Sequence, residues 1–397
     1  MDKPALRKQF SSEWEKHYKV SALVERGYSR QQCGKCSRFF WSVEARKVCS
    51  DPSCVGYGFI GKKMAKQPLG YVETWKKIEE YFKKNGHASV EPYPTVARWR
   101  DDLYFTIASI NDFQPYVVSG EIEPQANPLI VPQPCIRFSD ISNVGVTGRH
   151  YTNFVMVGQH AFNSKKTGDF YWKDEAIRHD LGYLSHLGID EKHLVFLEDV
   201  WMGGGNFGPC IEYFADGLEL GNCVFMQYEI TPDGNSRELS TKVIDMGAGL
   251  ERLSWITHGS PISYGNTFGS LVGDIQKSAG VSVDDKLFLE YAKLSGSLNT
   301  DEVGDIGKEK EQIAKKLGLD VEEMDATFNP LHAVYASADH LKTILFTSTD
   351  GMLPSNAGGG YNLRMILRRT FGFDAEFSMN LDYAGTMEAH AHHLREL

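Results

Sequence analysis

Helical periodicity is clearest in a segment that begins near residue 71. Large apolar side chains recur there every three or four positions, and charged residues fill most positions between them. This spacing predicts an amphipathic helix with one buried face, and Asn85-Gly86 predicts where the helix ends. The predicted buried stripe consists of Tyr71, Trp75, Ile78 and Phe82.

Strand-like patterns dominate the chain between this helix and about residue 250. Residues 89–138 hold seven of the fifteen prolines together with β-rich runs at 103–107 and 116–118, so strands and turns should replace helix. Few long helical patterns interrupt the apolar runs that follow, at 151–157, 193–197, 223–230 and 242–245. This order predicts a mostly antiparallel sheet flanked by helices, an α+β fold.

The pattern changes again after about residue 265. Residues 284–346 combine mixed charge with long helical periodicity and contain no strand-like run, which predicts a helical domain. We therefore expect three parts: an N-terminal extension over 1–66, a sheet domain over 67–265 and a helical domain over 266–397.

Composition and charge exclude several classes of protein. The 397 residues are 42% hydrophobic and 24% charged, as in ordinary globular proteins, which excludes a disordered or fibrous chain. Lys and Arg total 42 against 52 Asp and Glu, so the surface as a whole is not built to coat nucleic acid, although a local basic strip is compatible with this balance. The chain shows neither an apolar run of about 18 residues nor a signal peptide. We predict a cytoplasmic protein with no membrane partner.

Four of the seven cysteines lie close together near the N-terminus, which is unusual for a chain in a reducing compartment. They form two short pairs on turns that contain glycine or proline. Four thiolates in this arrangement can bind one tetrahedral Zn²⁺, so we predict a structural zinc knuckle. Disulfides and unrelated thiols are the alternatives, and Cys135, Cys210 and Cys223 fit packing roles. The predicted zinc ligands are Cys33, Cys36, Cys49 and Cys54.

Two segments have the form of an anion-binding site. The run IDMGAGLER at 244–252 joins a strand to a helix through a Gly-x-Gly turn and places Arg252 near the start of that helix. Backbone N–H groups and a guanidinium at such a junction can bind a phosphate. Arg137 ends another strand-like run, and Phe154 lies on the returning one, which suits a phosphate and a purine ring. Each segment alone also fits turn chemistry or a surface ion pair, but together they predict a clamp for a triphosphate.

Longer runs around these residues carry a family resemblance. They are RWRDDLYFTIASINDFQP at 98–115, the segment 133–162, WMGGGNFGPCIE at 201–212, VFMQ at 224–227, the segment 245–252, ADHLKT at 338–343 and LPSNAGGGYNLRMILRR at 353–369. From about residue 10 to 375 the chain resembles class II aminoacyl-tRNA synthetases, and among them the archaeal type of alanyl-tRNA synthetase. The resemblance implies the class II antiparallel sheet with flanking helices, an N-terminal zinc knuckle and a C-terminal helical domain that recognises tRNA.

The resemblance also implies a reaction. Alanine and ATP would form alanyl-adenylate and pyrophosphate with the help of Mg²⁺, and the alanyl group would pass to the 3′ end of tRNA(Ala). Arg137 would bind the α-phosphate and Arg252 the γ-phosphate, while Phe154 would cover the adenine, and Gly247 and Gly249 would lie beside the nucleotide. The implied catalytic residues are Arg137, Asp245 and Arg252.

The same resemblance implies an amino-acid pocket. Asp245 would accept the α-ammonium group of alanine, and Trp201 and Ile110 would enclose its methyl group. From the residues alone, Asp245 also fits a helix cap, and Trp201, Ile110 and Phe154 also fit ordinary core positions. The remaining implied lining consists of Asn222, Cys223 and Gly247.

A candidate tRNA surface lies in the helical part. Asn356 is similar to the family's asparagine that reads a G·U pair in the acceptor stem, although a helix cap is the alternative. The arginines that follow form a basic stripe suited to phosphate contact, and a solvated helix face would have the same pattern. They are Arg364, Arg368 and Arg369.

Two departures from the family leave other functions open. Val155 stands where the family typically has a glutamate beside the nucleotide. The chain also ends before the family's editing and oligomerisation regions, so we expect a catalytic fragment or a truncated relative, monomeric in this form. The alternative functions are an amino-acid ligase with a non-tRNA acceptor and an inactive paralogue that binds tRNA or adenylate.

Overall fold

One nine-stranded sheet organises the protein. The computed structural model describes residues 2–166, 168–300 and 304–395, so residues 1, 167, 301–303 and 396–397 of the predicted domains lie outside this part. The strands are β1 (Ser29–Gln32), β2 (Phe39–Ser42), β3 (Ala88–Ser89), β4 (Leu129–Ile136), β5 (Asn153–Asn163), β6 (Leu194–Gly203), β7 (Asn206–Ala215), β8 (Leu218–Ile230) and β9 (Ser236–Gly249). Their order is β1-β2-β6-β7-β8-β9-β5-β4-β3, and all neighbours are antiparallel except β3 and β4. The predicted α+β class is confirmed.

Helices surround the sheet and form the whole C-terminal part of the described chain. They are α1 (Lys3–Ser12), α2 (Trp14–His17), α3 (Ser21–Val24), α4 (Pro52–Val55), α5 (Tyr71–Lys84), α6 (Lys173–His186), α7 (Leu250–His258), α8 (Tyr264–Phe268), α9 (Leu271–Ser278), α10 (Asp285–Ser295), α11 (Ile306–Leu317), α12 (Val321–Thr349), α13 (Gly358–Phe377) and α14 (Tyr383–His393). Two short 3-10 helices cover Ser109–Asp112 and Glu191–His193.

The helix α5 covers one face of the sheet, as its apolar stripe predicts. All four stripe residues are buried, and the helix ends at Asn85. They belong to one core with the residues of β5, β8 and β9 that point to this face, such as Val157, Phe225 and Met246. Burying a large apolar side chain stabilises the fold by about 1.5–3 kcal/mol, so this stripe fixes α5 on the sheet. Helices α6 and α7 pack beside it.

The N-terminal segment is continuous with the sheet. Strand β2 pairs with β6 through Phe40↔Leu197 and Trp41↔Phe196, and β1 then forms one edge. The cysteine-rich turns therefore lie next to the edge of the same sheet. The boundary between residues 66 and 67 stays a prediction.

The helical part begins where the sequence pattern changes. From α8 onward, the residues that the structure describes contain helices and no strands. The longest helix, α12, contacts α9, α13 and α14, and it also contacts β5 of the sheet. None of the described helices is long and apolar enough to cross a membrane. The boundary between 265 and 266 also stays a prediction.

Two predicted strand runs are wrong. Residues 103–107 contribute only the single bridge Val96↔Phe105, and residues 116–118 form a turn. In that turn, the N–H groups of Val117 and Val118 donate to the carbonyl of Phe113, which directly follows the 3-10 helix. These two donors are therefore used within the turn and do not pair with a neighbouring strand. The glycine-rich run at 201–212 is also more regular than a loop, because β6 and β7 form a hairpin across Gly204 and Gly205.

Candidate active site

A cavity of about 330 Å³ opens on the face of the sheet opposite α5. Strand alternation explains its position, since successive side chains point to opposite faces. On β9, Ile244 and Met246 point into the core beneath α5, so Asp245 and Gly247 point to the cavity. Strands β5 and β8 flank β9, and the loops before and after β4 complete the lining.

The junction of β9 and α7 has the geometry that the run IDMGAGLER predicts. Strand β9 ends at Gly249, and α7 begins at Leu250. This places Arg252 on the first turn of the helix, at the cavity, where its Nη1 donates to Glu219 Oε2 over 2.8 Å. The positive end of the helix and the guanidinium therefore lie on the same side of the cavity.

Three guanidinium groups line the cavity together: those of Arg137, Arg149 and Arg252. Arg137 donates through Nε to the carbonyl of Ile107 over 2.9 Å, and its guanidinium lies 4.9 Å from the ring centre of Phe154. Burial and the three neighbouring guanidiniums lower the pKa of His150 well below its usual value. The histidine is therefore neutral, and this wall of the cavity favours anions.

Asp245 supplies a buried carboxylate to the same cavity. The residue is only 6% exposed, and burial raises the pKa of its carboxyl group to about 7. It lies directly across from His160 in the pairing of β5 and β9, and His160 Nδ1 is 3.5 Å from Asp245 Oδ1. A carboxylate with little water around it interacts strongly with a cation that enters the cavity.

The other residues implied for the amino-acid pocket separate into two groups. Trp201, Asn222 and Gly247 line the cavity. Cys223 points to the opposite face and packs in the core beneath α5, because it follows Asn222 on β8. Ile110 is fully buried in a neighbouring core with Phe113, and Ala108 reaches the cavity from the same loop.

Gly247 lies close to a side chain of the neighbouring strand. A Cβ atom there would lie 2.8 Å from the sulfur of Met156 on β5. Gly247 and Gly249 both line the cavity, as does Phe154. Any side chain at 247 would therefore displace Met156 and fill part of the space that the cavity occupies.

A buried charge network connects the cavity to the helical part. Glu251, which lines the cavity, accepts hydrogen bonds from Tyr71 Oη at 2.7 Å and from the N–H of Val155 at 3.0 Å. Lys342 Nζ, on α12, lies 3.9 Å from Glu251 Oε1 and donates to the carbonyl of Asn153. Burial raises the pKa of Glu251 and lowers that of Lys342. The side chain of Val155 itself lies in the core beneath α5, away from the cavity.

The four clustered cysteines converge as their spacing predicts. Their Sγ atoms all lie within 4.8 Å of one another. The Sγ–Sγ distance is 3.8 Å between Cys33 and Cys54 and 3.7 Å between Cys36 and Cys49. A tetrahedral Zn²⁺ with Zn–S bonds of about 2.3 Å requires sulfurs about 3.8 Å apart, so this donor set fits zinc.

Comparison with known proteins decides the family. Residues 75–396 match the family described as tRNA synthetases class II (A). The chain belongs to this family. The class II synthetase fold implied by the sequence is therefore confirmed for most of the chain.

Relatives with curated names agree with this membership. The alanine–tRNA ligase of Methanocella arvoryzae is 46% identical over 390 residues, which cover 98% of this chain and 44% of that protein. Those of Cenarchaeum symbiosum and Nitrosopumilus maritimus are 45% and 44% identical, over 99% and 100% of this chain and 44% of each relative. The chain thus spans less than half the length of these relatives. A pyrrolysyl-tRNA synthetase structure from Desulfitobacterium hafniense matches half of this chain with 14% identity and a TM-score of 0.32, too low to compare the folds.

In this class II synthetase chain, the candidate tRNA residues lie far from the cysteines, on α13 and the loop before it. Asn356 is exposed in the loop and accepts a hydrogen bond from Arg364. Arg364 and Arg368 are exposed on α13. Arg369 points elsewhere: it is half-buried, and its guanidinium lies 5.1 Å from the ring centre of Phe373. The exposed stripe therefore consists of Arg364 and Arg368.

Sequence reasoning missed several residues of the synthetase cavity. Arg149 lies in the loop between β4 and β5, and its place in the run GRH at 148–150 was the available signal. Glu219 and Glu251 flank Arg252 in the lining. His160 and Lys342 lie in segments that carry the family resemblance, but the resemblance gave neither a role, because strand register and the packing of α12 bring them to this site.

Proposed function

We propose that this chain is the amino-acid-activating part of an alanine–tRNA ligase that acts in the cytoplasm. The observation that carries the proposal is the presence, in one cavity, of a wall of three guanidiniums and a buried carboxylate. The first suits the triphosphate of ATP, and the second suits the ammonium group of an amino acid. The names of the most similar relatives support alanine as that amino acid.

In the proposed reaction, ATP lies along the guanidinium wall. Arg137 binds the α-phosphate, Arg252 binds the γ-phosphate and Phe154 stacks on the adenine. An oxygen of the alanine carboxylate attacks the α-phosphorus, the bond to the bridging oxygen breaks and pyrophosphate leaves. Arg137 stabilises the charge that develops at the α-phosphate, so the protein needs no nucleophile of its own.

The carboxylates beside Arg252 fit a Mg²⁺ ion. This ion is usually held by one or two carboxylates together with phosphate oxygens. Glu219 and Glu251 both line the cavity, and Glu251 Oε2 has no hydrogen-bond partner among the described residues. We assign these two residues to Mg²⁺, which would neutralise charge on the phosphates of bound ATP.

The pocket for alanine lies around Asp245. The carboxylate accepts the α-ammonium group, and Trp201 and Ala108 limit the space for the side chain. Ile110 supports this wall from the adjacent core. Cys223 is left out of the proposed pocket because its side chain faces the other side of the sheet.

The acceptor of the alanyl group is the 3′ end of tRNA(Ala). Asn356 contacts the acceptor stem in this proposal, and Arg364 and Arg368 contact its phosphates. The loop that holds Asn356 is tied to the cavity side, because Arg98 donates to the carbonyl of Asp350 and Thr95 Oγ1 donates to the carboxylate of the same residue. Residues 95–108 continue from this contact to Ala108 in the cavity lining.

The four cysteines bind a structural Zn²⁺ in this proposal. Their Sγ geometry and their position at the edge of the sheet support a role in holding β1 and β2 in place. The predicted form of this chain is a monomer.

ATP–pyrophosphate exchange with a panel of amino acids tests the activation step. We expect exchange that is fastest with alanine and that is lost in Asp245→Asn, with Asp190→Asn as the matched control on an exposed acid. Exchange that is best with another amino acid would contradict the assignment of alanine, and no exchange with any amino acid would favour an inactive binding protein.

Charging of tRNA(Ala) tests the transfer step separately. Asn356→Ala should reduce charging and leave exchange unchanged, because Asn356 lies outside the cavity. If the wild-type chain exchanges pyrophosphate with alanine and does not charge tRNA(Ala), the acceptor is a different molecule.

A further inference from the structure

His160 occupies the position next to Asp245 on the cavity face of the sheet. The two residues are paired across β5 and β9, and the His160 side chain is completely buried. One ring nitrogen, Nδ1, faces the carboxylate at 3.5 Å. The other, Nε2, lies 3.1 Å from Ser109 Oγ, and the ring packs against Phe113 with 4.9 Å between ring centres. Ser109 and Phe113 thus hold the ring, whereas the buried Nδ1 has no hydrogen-bond partner among the described residues.

Ser109 is the hydrogen-bond partner of the ring nitrogen that faces away from Asp245. Burial lowers the pKa of His160 to about 3, so the ring is neutral and has one N–H. The hydroxyl of Ser109 can donate to Nε2, since its other neighbour within reach is the sulfur of Met156 at 3.5 Å, a weak acceptor. With Nε2 as acceptor, the ring proton lies on Nδ1, on the side of Asp245.

Gly158 makes this arrangement possible. A Cβ atom at this position would lie 2.5 Å from Ser109 Oγ and 2.8 Å from His160 Nε2. Any side chain would therefore separate the hydroxyl from the ring. The glycine is needed for the contact that orients His160, although it touches neither Asp245 nor the space where substrates would bind.

We propose that His160 is a positioning residue that donates a hydrogen bond from Nδ1–H to Asp245 and holds that carboxylate as an acceptor for the ammonium group of the amino-acid substrate. This inference rests on the proposed function. It accounts for a neutral histidine at a place where a charged one would neutralise Asp245 and compete with the substrate.

The environment of Asp245 explains why a neutral donor is needed there. Besides His160, the groups near it are the thiol of Cys223 on β8 and, in the cavity lining, the guanidiniums and carboxylates already described. Burial favours the protonated form of Asp245, which cannot bind an ammonium group. A hydrogen bond from a neutral donor favours the ionised form without placing a second cation in the pocket.

Three substitutions of His160 separate this role from simple packing. His160→Phe keeps the ring and removes both nitrogens. His160→Asn places an amide donor near the position of Nδ1, and His160→Gln places one near Nε2. His87→Phe is the matched control, because His87 is buried and bonds to Tyr171 on the other face of the sheet.

The titration of Asp245 is the direct measurement. Carbon-13 NMR of aspartate-labelled protein, with Asp245→Asn to identify the resonance, should show the midpoint in His160→Phe about one pH unit higher than in the wild type. His160→Asn should restore most of the difference, and His160→Gln should not. In pyrophosphate exchange at neutral pH, His160→Phe should raise the KM for alanine about tenfold and leave the KM for ATP unchanged.

An unchanged midpoint in His160→Phe would overturn the proposal, and so would equal rescue by asparagine and glutamine. If His160→Phe does not fold, the comparison of the asparagine and glutamine variants decides. A wild-type chain without alanine-dependent exchange would refute the proposed function, whereas the NMR titration would still test the contact between His160 and Asp245.

Discussion

The cysteine cluster and the candidate active-site cavity are built in opposite ways. All four cysteines come from one short segment, and two tight turns bring their Sγ atoms together. The cavity instead collects Ala108, Arg137, Trp201, Asp245 and Arg252 from different strands and loops, so a register shift of one residue would turn half of its lining into the core. Metal ligands can thus be predicted from local spacing, whereas the cavity depends on the whole sheet. The two sites should also fail independently.

The largest expected effect is the loss of Arg137. In the proposed reaction its guanidinium lies where charge develops at the α-phosphate, and removal of one such group typically costs about 10²–10³ in rate. Arg137→Ala should therefore reduce exchange by about that factor and leave zinc content unchanged. Arg178→Ala is the matched control, since Arg178 is exposed and pairs with Glu25. A loss of less than fivefold, read against the control, would remove Arg137 from the catalytic set.

The cavity should select poorly among the smallest amino acids. A pocket that holds a methyl group tolerates an added hydroxyl within about 10²-fold and excludes glycine weakly. We expect measurable exchange with serine and glycine, with alanine preferred over serine by about 10²-fold or less. The check is kcat/KM for each amino acid at saturating ATP, with valine as a larger comparison. Undetectable activity with both serine and glycine would contradict a pocket formed by Trp201 and Ala108.

Alanine recognition should depend on pH through Asp245. Its pKa is raised to about 7, so the carboxylate is mostly protonated below this pH and ionised above it. Since only the ionised form binds an ammonium group, kcat/KM for alanine should rise roughly tenfold between pH 6 and 8. The pKa values of His150 and His160 are lowered below this range, so neither contributes to the change. A profile that is flat for alanine would show that Asp245 does not bind the ammonium group.

Removal of zinc should have the smallest effect on exchange. Cys36→Ser should lose stoichiometric zinc and lower the melting temperature, because a structural zinc site contributes folding energy. The rate of exchange at a temperature where the chain stays folded should change less than about threefold, since the cysteines pack on residues of β6 and β7 that do not line the cavity. Cys223→Ser is the control thiol outside the cluster. Zinc that survives in Cys36→Ser, or exchange that is abolished, would break the proposed independence.

The features that could be predicted from sequence are those that depend on local spacing, as in the cysteine cluster. The stripe on α5, the turn from β9 into α7 and the cysteine pairs depend on nearby residues, and each was predicted. The strand at 103–107 was wrong because β-propensity gives no information about partners: Asn111 Oδ1 accepts the N–H groups of Ile107 and Ala108 there. The site roles came from family resemblance. His160 and Lys342 could not be found, because register and helix packing place them.

The edges of the sheet have a consequence for how the protein behaves in concentrated solution. Strand β3 at one edge has two residues, and β1 at the other has four polar ones, with Arg30 held by Glu198 and lying over the ring of Phe39. Edge strands that are long and apolar recruit strands from other molecules, and short or charged ones do not. The two outermost strands therefore offer very little free backbone for strand addition, and the sheet should not grow from β1 or β3 into another molecule.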